Sequence, residues 1–350
     1  MSRYAKNAIK FGLSILLTLF FLYFAFKGTD FHALIEVLSR ANYWWAFAMV
    51  PPLVLSHLFR AWRWEYLLRP IKRELKFRNL FSALSIGYFI NNLLPKVGEI
   101  VRPYAIGKLE RVSRSAALGT LLVERIFDII SFLIMIALIP LIYSGPLAQA
   151  FPWLEETGMW ITIATLTCIA VCTFLMMRRD VVVRVLNFFT RHLSERRAQF
   201  VERVAHSFLD GFLFLKEPRH YFMIGMLSVL IWGLYIVMMW LPFYAFGLGE
   251  TLDFKAAMVL QGISSIGYMA PTPGSTGPYH YFTIQTLTKL YAVDGELARS
   301  YAVVTHALGY LTTTVLGIYY MMRDKLHMAE FMKRDEEPNA EREPASDLAR

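Results

Sequence analysis

The stretch Asn91-Asn92-Leu93-Leu94-Pro95-Lys96-Val97-Gly98-Glu99-Ile100-Val101-Arg102-Pro103 decides how the rest of the chain is read. An apolar run, 80–94, leads into it and stops at the asparagine pair and the proline. As a helix those residues would rise roughly 22 Å, short of the ~30 Å hydrocarbon core of a bilayer. Pro95 removes a backbone donor and Gly98 tolerates dihedrals closed to other residues. Regular helix is therefore expected to break here, with Asn91, Asn92, Pro95 and Gly98 as the breaking positions. The break carries Lys96, Glu99 and Arg102. Irregular backbone beside charge is tolerated at membrane depth only where it is buried in protein or lines a wet cavity. The stretch reads as the tip of a re-entrant helical hairpin.

Composition agrees. Hydrophobic residues are 56% of the 350 and charged ones 18%, with a mean hydropathy of +0.42. That places the chain in the membrane class, and the apolar runs along it lead us to expect an all-α polytopic membrane protein. The net charge of +9 sits in basic blocks between apolar runs. Topogenic Lys and Arg explain such blocks, and no nucleic acid is expected as a partner. Cys168 and Cys172 lie inside an apolar run and need no chemistry. There is no disulfide framework or metal-ligand spacing, and no cofactor is expected. Arg3, Lys6 and Lys10 precede an apolar run, 11–26, without a small-x-small cleavage site, as in an uncleaved signal anchor.

Six segments are long enough to span: 9–26, 41–59, 115–143, 159–177, 221–246 and 298–322. The loops 60–78 and 178–220 are rich in Lys and Arg, whereas 144–158 has Glu155 and Glu156 and neither basic residue. Basic loops stay inside, so both termini are expected in the cytoplasm of a multi-pass inner-membrane protein. The segment 178–220 reads as a cytoplasmic amphipathic helix. Residues 1–326 form the membrane domain, and 327–350 read as a disordered charged cytoplasmic tail.

A second apolar stretch is broken by Ala270-Pro271-Thr272-Pro273-Gly274-Ser275-Thr276-Gly277-Pro278. Pro271, Pro273, Gly274 and Gly277 cannot remain in regular helix together. Its arms, 256–269 and 279–290, are each about half a span, and the loop counts place its entry outside. Each break is followed by a full span. Such hairpin-plus-span units in opposite orientations match the inverted repeats of transporters. Two unrelated buried helices with surface loops would be the plainer account.

The span 115–143 holds Glu124, Arg125 and Asp128. Glu124 and Asp128 share a helical face, and Arg125 can pair with Asp128. Charges at that depth cost about 2.5–3.5 kcal/mol each on insertion scales, which favours pairing inside the bundle. They form either a self-neutralising structural cluster or, with Lys96, Glu99 and Arg102, the wall of a polar cavity. In the second break, Thr272, Ser275, Thr276 and His280 lie beside glycines where free backbone N–H groups favour an anion. His280 reads either as a hydrogen-bonded packing residue or as a proton-carrying ligand. Arg60 and Arg63 close the second span with Trp62 and Trp64. They fit the positive-inside rule with its aromatic belt, or a phosphate clamp for headgroups at a cytoplasmic mouth.

Four motifs in order carry a resemblance. They are Arg60-Ala61-Trp62-Arg63-Trp64, Asn91 to Glu99 with Arg102, Glu124-Arg125 with Asp128, and Pro271-Thr272-Pro273-Gly274 with Gly277. Together they resemble the lysylphosphatidylglycerol synthase transmembrane-region family of flippase-like proteins, over about residues 5–325. The resemblance implies an integral inner-membrane protein with re-entrant helices. In multidomain members this region is thought to move aminoacylated phospholipid between leaflets, beside a soluble transferase domain. Members commonly carry Arg where this chain has Lys96, a second glycine at Ser275 and Glu at His280. No soluble transferase domain follows Met322 in this sequence, so lysyl transfer is not expected.

The leading expectation is therefore a non-enzymatic transporter for an anionic or isoprenoid-linked lipid, working through a polar cavity between two hairpins. Lys96, Arg102 and Arg125 would hold the headgroup. Glu99, Glu124, Asp128 and His280 would hold those cations or carry a proton. The alternatives are a membrane-embedded lipid-carrier transferase, or a non-transporting partner of a cytoplasmic lipid-modifying enzyme. A homo-oligomer is left open.

Overall fold

The computed structural model describes residues 3–143 and 220–326, with side chains from residue 12 onward, and isolated positions between those segments. The expected span 159–177, the amphipathic segment 178–220 and the tail 327–350 lie outside the described residues. Among the described residues every regular element is helical. The helices are α1 (Arg3–Phe26), α2 (Phe31–Arg40), α3 (Tyr43–Phe47), α4 (Val50–Leu68), α5 (Phe77–Leu93), α6 (Gly98–Glu110), α7 (Arg114–Ile142), α8 (Tyr221–Ala245), α9 (Phe254–Gly267), α10 (Pro278–Tyr291) and α11 (Gly295–Arg323). A short 3-10 turn, Pro273–Ser275, lies between α9 and α10.

Local chemistry sets most of the helix starts. Asp30, Asn42, Ser113, Asp253 and Asp294 each accept from backbone N–H groups of the first turn that follows, satisfying donors that a helix leaves free. Prolines open α4 and α10, where the missing N–H costs no internal bond.

α7, α8 and α11 are each long and apolar enough to cross a membrane. The part of α1 from Gly12 to Phe26 passes together with α2, the two bent by 84° at their junction. The chain is an integral membrane protein, and its surface shows why. Leu13, Leu16, Leu19, Phe20 and Tyr23 on α1 are all more than half exposed, a stripe that lipid tails cover. The expected span 41–59 takes a different form. It is divided at Ala48 and Met49 into α3 and α4, and α4 runs on to Leu68. The basic residues Arg60 and Arg63 thus belong to a helix rather than to a loop.

Among the described residues, beside two small cores, two large ones dominate the bundle. One gathers Trp64, Leu67, Leu80, Ile86, Ala105 and Leu121 from α4 to α7. The other gathers Phe243, Leu260, Tyr279, Leu287 and Tyr301 from α8 to α11. α4 packs along α8, and α5 along α11, joining the halves.

Both broken stretches are helical hairpins. α6 folds back along α5 so closely that a Cβ at Gly98 would lie 2.0 Å from the Gly87 carbonyl oxygen. α10 likewise folds back on α9, with the Gly267 Cβ position 2.8 Å from the Tyr279 nitrogen. Ser264 and Thr283 hydrogen-bond across that pair at 2.9 Å.

Candidate functional site

The first break is built by three local devices. Helix α5 ends at Leu93, and Lys96 takes a left-handed conformation with φ of 64°. The Asn91 side chain then accepts from the Gly98 N–H at 2.7 Å, satisfying an N-terminal donor of α6. Lys96 is exposed at the tip. Its ammonium donates to the carbonyl of Tyr268, just past the end of α9, at 3.4 Å. A lysine at the carbonyl end of a helix is favourably placed against the helix dipole.

The two breaks meet through α11. Asn92 Nδ2 donates to the Tyr310 carbonyl at 3.2 Å and to the Thr313 and Thr314 hydroxyls at 2.9 and 3.0 Å. The Tyr310 hydroxyl donates back to the Asn92 carbonyl at 3.2 Å. On the other side, His306 Nε2 lies 2.9 Å from the Gly274 carbonyl. Gly274 itself has φ of 54°, and a Cβ there would stand 3.3 Å from Asn92 Oδ1.

Behind the first break lies a buried ionic cluster. Glu124 is fully buried and accepts from Arg60 at 2.8 Å, Arg102 at 2.9 Å and Arg125 at 3.0 Å. Asp128 accepts from Arg63 at 2.6 Å and Arg60 at 3.0 Å, with Arg125 at 3.5 Å. Arg60 Nε also donates to Tyr235, and Arg63 to Ser228, both on α8. Arg102 reaches Glu124 across the face of Trp64, 4.5 Å from the ring centroid. A Cβ at Gly87 would lie 2.4 Å from Arg102 Cγ, so the glycine makes the room for this side chain.

Among the described residues charge does not balance within the cluster. Four guanidinium groups surround two carboxylates. Glu99, 3.9 Å from Arg125, reduces the excess to one positive charge. Arg63, Arg102 and Arg125 each keep a buried Nε–H without an acceptor among the described residues. Arg125 and Glu99 are about one third exposed at their side chains and form the accessible edge. Buried cations are normally matched by anions, and here one guanidinium charge has no carboxylate among the described residues.

The structure thus brings Arg60, Arg63, Glu99, Arg102, Glu124, Arg125 and Asp128 into one group. Arg60 and Arg63 are not at a mouth: they are 6% and 0% exposed and face Glu124 and Asp128. Helical spacing of His57, Arg60, Trp64 and Leu67 was the signal available for extending that helix inward. Thr272 and His280 are buried in the second break, and Ser275, with φ of 60°, and Thr276 are half-buried. Among the described contacts these four do not touch the arginine cluster. Tyr235 and Ser228, which meet the arginines, and Tyr310, which meets Asn92, are partners that the sequence did not single out.

Comparison with known proteins places the chain. Residues 9–317 match the family described as "Lysylphosphatidylglycerol synthase TM region". The chain belongs to that family. A UPF0104 membrane protein of Methanocaldococcus jannaschii is similar at 23% identity, over 88% of this chain and 94% of its own. A second UPF0104 membrane protein, from Methanothermobacter thermautotrophicus, is 27% identical over 77% of this chain and 82% of its own. No solved structure matches. For this member of the lysylphosphatidylglycerol synthase TM-region family, the match covers α4, α6 and α7, whose arginines and carboxylates form the cluster.

Proposed function

We propose that this protein is a non-enzymatic lipid transporter that moves an anionic phospholipid or an isoprenoid-linked lipid between the leaflets of the cytoplasmic membrane. The observation that carries this reading is the surplus of guanidinium over carboxylate in the cluster behind the first break. An anionic headgroup would supply the missing charge. Arg125 and Lys96 would meet it first, because they stand at the accessible edge, and Glu99 would compete with it for Arg125. The acyl chains would stay in lipid along the apolar flanks.

In this reading α5–α6 enters from the cytoplasm and α9–α10 from the opposite face. Six crossings then leave both termini cytoplasmic, as the basic loops require. A transferase reading is less favoured, since Glu124 and Asp128 are both occupied by guanidinium groups and offer no free oxygen face to a substrate proton. A cytoplasmic lipid-modifying enzyme docking on 178–220 is compatible with transport.

Reconstituted liposomes with tail-labelled lipids test the reading. Purified protein should speed leaflet exchange of phosphatidylglycerol, and Arg125→Glu, which reverses the charge the headgroup meets first, should abolish it while the protein stays inserted. Failure to speed exchange of every anionic and isoprenoid-linked lipid tried would remove the transport reading. Turnover of a lipid without exchange would favour the transferase.

A further inference from the structure

The corner between α1 and α2 leaves an apolar helix face outside the bundle. α2 (Phe31–Arg40) turns 84° from the 12–26 part of α1, whose lipid-covered stripe runs on through Tyr23 and Phe24 to that corner. A helix at such an angle to one that crosses the bilayer runs in the plane of the membrane. Asp30 makes the corner. Its side chain accepts from the His32 and Ala33 N–H groups at 2.9 and 3.2 Å and so starts α2 afresh.

At about 100° per residue, three arcs follow one another around α2. Val37 and Leu38 pack on the core gathered from α8 to α11, and Leu34 beside them is buried. Phe31 and Ile35 come next and are 64% and 63% exposed. His32, Glu36, Ser39 and Arg40 complete the circle, all exposed, with Glu36 and Arg40 paired. The polar arc thus lies opposite the bundle, and the two large apolar side chains lie between the two. Water alone would disfavour so much exposed Phe31 and Ile35 surface, and hydrocarbon alone would disfavour the polar arc. Both arcs are accommodated where protein, hydrocarbon and water adjoin.

The neighbours of α2 are helix ends. The Asp30 N–H donates to Glu296 in the first turn of α11 at 3.0 Å, and Arg299 donates to the Ala25 and Lys27 carbonyls at 3.3 and 3.4 Å. Just past α2, the Asn42 N–H donates at 2.9 Å to the carbonyl of Ala245, the last residue of α8. The end of α1, the end of α8 and the start of α11 therefore share the level of α2. Tyr43 and Trp44 stand on α3 at that level, Trp44 being 87% exposed, and both are residue types of a membrane–water boundary.

We propose that α2 is an in-plane membrane anchor: Phe31 and Ile35 bind the boundary between acyl chains and headgroups of the surrounding phospholipid, while Glu36, Ser39 and Arg40 stay in water. The partner is the bilayer itself, engaged through apolar area rather than headgroup charge, since 27–42 sets Lys27 and Arg40 against Asp30 and Glu36. The anchor fixes a depth. α11 leaves this level at Gly295, so for α11 along the membrane normal His306 and the Gly274 carbonyl that it meets lie about 16 Å below, near the middle of a ~30 Å core. Which face of the membrane carries α2 rests on the topology in the proposed function, whereas the in-plane placement does not.

The test uses the full chain with Cys168→Ser and Cys172→Ser, spin-labelled at Phe20→Cys, Phe24→Cys, Phe31→Cys, Ile35→Cys or Ser39→Cys, in nanodiscs of phosphatidylethanolamine and phosphatidylglycerol. Oxygen, which concentrates in hydrocarbon, and a water-soluble nickel chelate report the depth of each label. Depths at 31 and 35 should agree within about 3 Å, whereas 20 and 24, the same spacing along α1, should differ by about 6 Å. The nickel chelate should relax the label at 39 at least fivefold more than the label at 35. Three results would overturn the proposal: a difference of about 6 Å between 31 and 35, nickel access at 35 equal to that at 39, or access of neither reagent to 35, which would mean that a second copy or another segment covers it. Carbene labelling of the unsubstituted chain, from a phospholipid with a diazirine next to its glycerol, tests the same face if a labelled variant fails to fold. Adducts are expected at 31 and 35, and their absence there beside adducts on 13–24 would equally overturn the anchor. A membrane-impermeant maleimide should reach Ser39→Cys from outside intact cells; reaction only from the cytoplasmic side would remove the topology and leave the anchor standing.

Discussion

Arg102 and Glu124 are joined at 2.9 Å across the α6–α7 packing, with the guanidinium laid over Trp64. Both side chains are nearly inaccessible. Glu124 also receives Arg60 and Arg125, so it is the anion on which three helices converge.

Glu124→Gln should therefore destabilise the protein by about 3–5 kcal/mol, because it leaves buried guanidinium groups uncompensated. The measurement is the thermal midpoint of the full chain in detergent. The double variant Arg102→Met with Glu124→Gln should recover part of the loss, and a loss equal to the sum of the singles would contradict the pairing.

Gly98→Ala should be poorly tolerated, since its Cβ would meet the Gly87 carbonyl oxygen at 2.0 Å. Backbone cannot yield there without separating α5 from α6. Gly225→Ala provides the contrast: nothing lies within 4 Å of that Cβ position, and the change should be neutral or stabilising by about 0.5–1 kcal/mol. Comparing the two midpoints separates steric contact from helix propensity.

The contrast also shows what the sequence made legible. Pro95 with Gly98, and Pro271 to Pro278, mark both breaks, because proline and glycine act on the backbone where they stand. The pairing of Arg125 with Asp128 was legible for the same reason, being three residues apart on one helix. The partners of Glu124 from α4 were not. Arg60 and Arg63 follow an apolar run, and the positive-inside rule accounts for them without any reference to α7. Only the crossing of α4 over α7 brings them together, and no local pattern encodes that crossing. The short helices α2 and α3 were missed for a smaller reason: their caps, Asp30 and Asn42, were available signals, but each helix is too short for its periodicity to stand out.

Asn92→Ala should cost about 1–3 kcal/mol by stranding the acceptors that its amide now serves on α11. Tyr310→Phe removes only one reciprocal bond, to the Asn92 carbonyl, and should cost about 1 kcal/mol. Thermal midpoints in the order wild type, Tyr310→Phe, Asn92→Ala would support the contact between the breaks, and the reverse order of the two variants would contradict it.

Glu110, at the end of α6, gives an acid-side prediction. Burial pushes its carboxyl up, but hydrogen bonds from Lys72 and Asn79, the Lys76 N–H and the Lys72 charge outweigh burial and hold it below the ordinary glutamate value of 4.5. A carboxylate depressed in the folded state stabilises above its unfolded pKa and loses that contribution as pH falls through its folded one. Stability should thus decline below about pH 4.5, and Glu110→Gln should flatten that decline while lowering the midpoint at neutral pH. An unchanged acid slope in the variant would contradict the assignment.

Helix α11 fastens more than one region to itself. Its first turn receives the Asp30 N–H through Glu296 and reaches the Ala25 and Lys27 carbonyls through Arg299. Its middle grips Gly274 through His306 and Asn92 through Tyr310 and Thr313. Just past its end, Asp324 accepts from Ser82 on α5. A rotation of this one rod about its axis would shift the bend at α1, both hairpin tips and the entry of α5 together. The two halves of the molecule therefore share a single axle, to which both tips are tied by side-chain hydrogen bonds.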